Sequence, residues 1–236
     1  MHPLPTEEKK SSVLLTLLVW MFLLAGIVLL PGIVASLVIG YHKTTTPLLL
    51  VSRLLIWLFF IVMFIYTVRV KRERFLWWDE KKYNLLFYIA AVLIILVVIF
   101  FGIGIISLTL MKMGFNNSSN RIKDFMEIFR NNKFLMVFTA LTAGIVEEFV
   151  FRGYVQPRLE YILKSPVLAI LVSSLYFGLL HIGYGTVAQV IAPFYISFIL
   201  GLFYSNYRNL KVVVICHFLW DLLALLVALN AHKLLK

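Results

Sequence analysis

The sequence predicts an all-α fold, a polytopic bundle of about seven to eight transmembrane helices. Of its 236 residues, 62% are hydrophobic and only 14% are charged, and the mean hydropathy is +0.96. A soluble domain needs a polar surface that this composition does not supply. Several apolar runs also reach the roughly 20 residues that cross a hydrocarbon core. Because lipid cannot satisfy backbone N–H and C=O groups, each of these runs should be a helix.

Seven apolar runs can be placed along the chain. They lie near residues 13–39, 48–68, 84–111, 133–151, 166–181, 187–204 and 212–230. An eighth span would follow if the first run broke at Pro31-Gly32 or if the third run were divided. The first run follows Lys9 and Lys10, as the apolar part of a signal peptide would. It is too long for a signal peptide and has no convincing cleavage site, so we predict a retained helix.

Charge indicates how the chain meets the membrane. The loop from Arg69 to Lys82 is rich in Lys and Arg, which predicts that it faces the cytosol. The stretch Lys112–Lys133 mixes polar residues with large apolar ones and predicts an amphipathic helix at the interface. The net charge of +11 lies largely in short loops beside apolar runs. We therefore expect contacts with anionic lipid headgroups of the cell membrane and no nucleic-acid partner.

Ionisable residues at membrane depth are concentrated in the second half of the chain. A charge at the bilayer centre costs at least about 2.5–3.5 kcal/mol, so such groups face a protein interior or a wet cavity and usually serve a function. The first three runs contain only Arg53. The later runs contain Glu147, Glu148, Arg152, His181, His217 and Asp221.

The first pattern of interest is Glu147-Glu148 followed by Arg152. On a helix Glu148 and Arg152 are four residues apart and can pair. Glu147 projects about 100° away from Glu148 on an α-helix, where each turn holds 3.6 residues. Two adjacent carboxylates beside one cation should titrate differently, which leaves one of them available as a general base. The alternative is an ordinary Glu–Arg pair at a helix end.

Two further patterns contain histidine. Phe177 and His181 share one helix face, and so do His217 and Asp221. Each histidine also has a local explanation, as a hydrogen-bonded core residue or as a buried His–Asp pair. Helix lengths counted from one membrane face place all these groups at depths from which they can converge in one polar cavity, if the fourth helix ends near Gln156, before Pro157.

The three strings EEFVFRGYV, FGLLH and HFLWD, in this order on separate apolar helices, resemble the motifs of the CPBP family. This family contains CAAX prenyl-protein endopeptidases and bacteriocin-processing or immunity proteins, and is also called the Abi family. The resemblance covers about residues 133–230. It divides the chain into a cytosolic tail (1–12), N-terminal membrane helices with an amphipathic connector (13–132) and a catalytic membrane core (133–236).

The resemblance implies an intramembrane endopeptidase that cleaves a hydrophobic or lipidated peptide in contact with membrane lipid. Glu147 would activate water with help from His181, and His217 and Asp221 would stabilise the oxyanion. Glu148 and Arg152 would hold the site in shape. The family often has Asn at the position of Asp221, so Asp221 must be protonated or must orient His217.

The resemblance leaves other questions open. The family has been described both as metalloproteases and as metal-independent glutamate proteases. Glu147, His181 and His217 would be the ligands of a Zn²⁺ or another divalent metal. A non-catalytic bacteriocin-immunity or binding protein is the main alternative function. A transporter is a third hypothesis, which the lack of visible inverted repeats disfavours.

Overall fold

The computed structural model describes residues 7–37, 43–116 and 118–234, and in these ranges all the regular structure is helical. The helices are α1 Glu7–Leu37, α2 Thr46–Ile65, α3 Leu85–Lys112, α4 Asn120–Asn131, α5 Lys133–Thr142, α6 Gln156–Leu163, α7 Pro166–Leu179, α8 Ala188–Tyr207 and α9 Leu210–Leu234. Short π-helical turns occur at Tyr66–Val70, Ala143–Glu147 and Phe149–Val155, and a 3₁₀ turn occurs at Ile182–Tyr184.

Seven stretches of the described helices are long and apolar enough to cross a membrane. They are Lys9–Leu30, Thr46–Val70, Leu85–Lys112, Lys133–Leu163, Pro166–Tyr184, Ala188–Tyr207 and Leu210–Asn230. The predicted all-α polytopic bundle is therefore confirmed, and the protein is a multi-pass membrane protein. The helix α1 continues through Pro31 and α3 is undivided, so neither of the proposed extra breaks exists.

The span Lys133–Leu163 is the central helix of the bundle. More than half of it, 56%, is buried inside the protein, whereas α3 exposes large apolar side chains such as Leu85 and Leu86. A helix enclosed by its neighbours can hold polar groups away from lipid. The fourth span therefore offers the most sheltered place for ionisable side chains.

The predicted end of the fourth span near Gln156 is wrong, because the helix continues to Leu163. In a straight α-helix Pro157 removes one hydrogen bond and its ring collides with the preceding turn. Here the turn before it is π-helical, and the Gln156 N–H donates to the Phe151 carbonyl, five residues back. The wider turn lets the chain pass the proline without ending the helix. Such π-helical turns are frequent at functional sites.

The predicted amphipathic helix is present as α4, with Phe125, Ile128 and Phe129 buried. It lies across the bundle end where α2 begins and α7 finishes. The Asp124 carboxylate accepts a 2.7 Å hydrogen bond from the Thr44 N–H.

The basic loop lies at the opposite end of the bundle, beside the junction of α8 and α9. The Glu80 carboxylate accepts hydrogen bonds from the Leu210 N–H at 2.6 Å and from the Tyr204 hydroxyl at 3.1 Å. Burial raises the pKa of Glu80 above its ordinary value. The helix α4 and the basic loop therefore lie at opposite ends of the helix bundle.

The fourth span and α9 lie very close together at Gly144. A Cβ at this position would lie 2.7 Å from the Phe218 Cβ and 2.9 Å from the Phe218 backbone nitrogen. Only a residue without a side chain allows this approach. Because Phe218 follows His217, the contact also sets the distance between His217 and the fourth span.

We expect Gly144→Ala to destabilise the protein by about 1–3 kcal/mol, because overpacking forces two helix backbones apart. Gly104→Ala is the matched control, since a Cβ at Gly104 would have nothing within 4 Å. Thermal unfolding in detergent compares the two variants with wild type. Equal midpoints for Gly144→Ala and Gly104→Ala would contradict the close-packing argument.

Candidate functional site

A buried carboxylate, Glu148, lies at the centre of the polar cluster. Its Oε1 is 3.1 Å from Arg152 Nη1 and accepts a 2.6 Å hydrogen bond from His217 Nδ1. The side chains of Glu148 and Arg152 are 0% and 1% exposed. The pair predicted from the i,i+4 spacing is therefore present, and it also has a third member from α9.

The same helix face binds α8 through two backbone carbonyls. Arg152 Nη2 donates to the Ser197 carbonyl at 2.8 Å, and Gln156 Nε2 donates to the Gly201 carbonyl at 3.0 Å. Both acceptors lie in α8, one turn apart. Gln156 was not among the predicted site residues, although its spacing of four residues from Arg152 places it on the same helix face.

His217 lies between two carboxylates. Its Nδ1 carries the proton that is donated to Glu148, which leaves Nε2 facing Asp221. The distance from Nε2 to Asp221 Oδ2 is 3.9 Å, too long for a hydrogen bond. The alternative of a local His–Asp hydrogen bond is therefore not what forms, and His217 instead binds a residue of another helix.

His181 has one ring nitrogen engaged and one free for chemistry. Its Nδ1 lies 2.9 Å from the Phe177 carbonyl, so Nδ1 is the donor and Nε2 of the neutral ring is the acceptor. The Phe177 ring lies between the two histidines, 5.0 Å from the His181 ring and 5.9 Å from the His217 ring. Phe177 therefore fixes the spacing of both imidazoles.

Glu147 differs from its neighbour Glu148 in having no hydrogen bond or ion pair to any described residue. It is half-buried, as are His181 and Asp221, whereas Glu148, Arg152 and His217 are buried. His217 and Arg53 act on Glu147 electrostatically. The cluster thus has a buried structural part and a partly accessible part.

The three residues named above as ligands of a possible metal, Glu147, His181 and His217, are not arranged as a metal site. Among the described residues no group of three or more His, Cys, Asp or Glu side chains is placed to hold one metal ion. Glu147, His181 and His217 as arranged therefore do not fit a three-ligand centre.

We expect Arg152→Met to destabilise the protein by about 3–5 kcal/mol, because it leaves the buried Glu148 carboxylate short of positive charge. Adding Glu148→Gln should restore part of this loss, since the remaining group is neutral. Arg74→Met is the control, because Arg74 pairs with Asp79 on the surface, where an ion pair contributes about 0–1 kcal/mol. Thermal unfolding would contradict the assignment if the double variant were no more stable than Arg152→Met.

Comparison with known proteins finds a matching family. Residues 129–223, from the end of α4 through the first half of α9, match the Rce1-like family, described as type II CAAX prenyl endopeptidase Rce1-like. The matched region contains all six residues predicted for the site. No curated protein and no solved structure shows significant similarity to the chain. This match supports the resemblance to the CPBP family that the three motifs indicate.

Proposed function

We propose that the protein is an intramembrane endopeptidase in which Glu147 activates water to hydrolyse a peptide bond. The observation that carries the proposal is the contrast between the two adjacent carboxylates. Glu148 is buried and engaged by Arg152 and His217, whereas Glu147 is half-buried and without a direct partner among the described residues. A general base needs this combination of shelter and a free lone pair.

The hydrolysis then needs only groups of the cluster. The Glu147 carboxylate removes a proton from water as the water oxygen bonds to the peptide carbonyl carbon. The carbonyl oxygen becomes an oxyanion. When the tetrahedral intermediate collapses, the C–N bond breaks and Glu147 returns the proton to the leaving amine. His181 Nε2, which its Nδ1 bond to Phe177 leaves as an acceptor, positions the water beside Glu147.

The oxyanion is assigned to the side of the cluster formed by α9. In this mechanism the His217 ring is doubly protonated: its Nδ1–H donates to Glu148, and its Nε2–H, on the side of Asp221, donates to the oxyanion. An ionised Asp221 would repel an oxyanion, so in this mechanism Asp221 donates a hydrogen bond from its protonated form. Donors fixed in advance of the reaction are the main source of oxyanion stabilisation.

The substrate class follows from where the site lies. The cluster is surrounded by membrane-spanning helices, so a substrate reaches it from the bilayer or its surface. We propose a hydrophobic or lipidated peptide, either a prenylated CAAX sequence or the precursor of a secreted apolar peptide.

The proposed base is tested with Glu147→Gln, which keeps the shape of the side chain but cannot accept the proton. We expect cleavage of a farnesylated CAAX peptide or another apolar reporter peptide to fall by about 10²–10⁴-fold, the usual contribution of a general base. His181→Ala should also lose cleavage. Cleavage is measured with purified protein in detergent, with and without a strong zinc chelator.

Glu160→Gln is the matched control for Glu147→Gln. Glu160 lies on the same span, away from the cluster, and faces Arg208. Full activity in both Glu147→Gln and His181→Ala would refute the proposed mechanism. Loss of wild-type cleavage in the chelator would show that a metal takes part. Wild-type protein that cleaves none of these peptides would favour the immunity or binding function.

The role of Asp221 gives a separate prediction. Asp221→Asn should keep or increase cleavage, because an amide donates to the oxyanion at any pH. Asp221→Leu should lower kcat by about 10²–10³-fold, as expected when one oxyanion donor is removed. A loss in Asp221→Asn as large as in Asp221→Leu would show that the carboxylate itself is needed.

A further inference from the structure

A cationic side chain outside the matched region, Arg53 of α2, faces the cluster. Leu49, one turn before Arg53, is buried with Leu135 of the fourth span. One turn after Arg53, Trp57 Nε1 donates to Thr142 Oγ1 at 3.0 Å. Spacing of four residues puts all three α2 side chains on one face, and α2 packs against Ala143–Glu147. Arg53 is therefore directed at the fourth span close to Glu147.

Arg53 has no carboxylate partner among the described residues. Within the described residues, its side chain makes one hydrogen bond, from Nε to Ser52 Oγ at 3.3 Å. It is half-buried and acts electrostatically on Glu147 and His181 without touching either. Such a charge at membrane depth is costly and is usually paired. In the cluster Arg152 already neutralises Glu148, so Arg53 is the cation left over.

We propose that Arg53 binds the free C-terminal carboxylate of the peptide substrate, an inference that rests on the proposed endopeptidase function. A guanidinium binds a carboxylate through two parallel hydrogen bonds, and this geometry makes it selective for that group. An extended peptide advances about 3.3–3.6 Å per residue. Because Arg53 does not touch Glu147, a carboxylate that Arg53 binds belongs to a chain end beyond the residues at the cleaved bond.

The competing explanation is that Arg53 only balances the charge of Glu147. The two explanations differ in what a substrate's end group does. Charge balance would speed or slow the reaction of every peptide equally. Carboxylate binding would favour a peptide that ends in a carboxylate over the same peptide ending in an amide.

The test compares cleavage of one apolar peptide made with a C-terminal carboxylate or a C-terminal carboxamide. We expect wild type to prefer the carboxylate in kcat/KM by about 10- to 100-fold, in line with a charge-assisted hydrogen bond. Arg53→Met should cleave the two peptides at similar rates. Arg53→Lys keeps the charge but loses the pair of parallel N–H donors, so it should show an intermediate preference. Arg69→Met, an exposed cation on the same span, should keep the wild-type preference.

Two results would overturn the assignment: a wild-type enzyme without preference, or an Arg53→Met variant that keeps it. If no peptide is cleaved, the endopeptidase proposal fails, but this result says nothing about Arg53. The role of Arg53 is then tested by measuring peptide binding instead of cleavage. Fluorescent versions of both peptides are then titrated onto Glu147→Gln protein. Tighter binding of the carboxylate peptide that disappears on adding Arg53→Met supports the proposal, and equal binding of both peptides refutes it.

Discussion

The arrangement of the second half of the bundle depends on neutralising one buried carboxylate. Glu148 is fully enclosed, and an ionised group there must be paired. It takes Arg152 from its own helix and His217 from α9, while Arg152 also binds the Ser197 carbonyl of α8. Apolar burial gives membrane helices little reason to associate, so close packing and polar bonds such as these set which helices meet and in what register.

That constraint explains how two adjacent glutamates come to have different surroundings. Because Glu148 uses the nearby guanidinium and imidazole, Glu147 has no direct partner among the described residues. The π-helical turns on both sides of Glu148 change the direction of successive side chains from that of a regular α-helix. The buried pair thus holds the helices together, and the neighbouring carboxylate stays partly accessible, as the proposed general base requires.

Much of this was predictable from the sequence, for identifiable reasons. Long apolar runs gave the membrane spans, and the four-residue spacing gave the Glu148–Arg152 pair. The bond from His217 to Glu148 was not predictable, because a single sequence does not state which helix faces which. The end of the fourth span was predicted wrongly because Pro157 was treated as a helix stop, and a π-helical turn removes the clash on which that rule rests. Gln156 could have been found from its spacing.

The proposed chemistry and the proposed substrate choice come from different parts of the chain. The six residues of the cluster lie within the region that matches the family, whereas α2 lies outside it and still packs against the Ala143–Glu147 turn. A given reaction requires the same reacting side chains in every member of a family. The end group of a substrate, by contrast, can be contacted by any helix that lines the path to the site. If Arg53 binds that end group, the N-terminal spans select the peptide and the C-terminal spans cleave it. Related proteins could then share one reaction and differ in substrate through α2 alone.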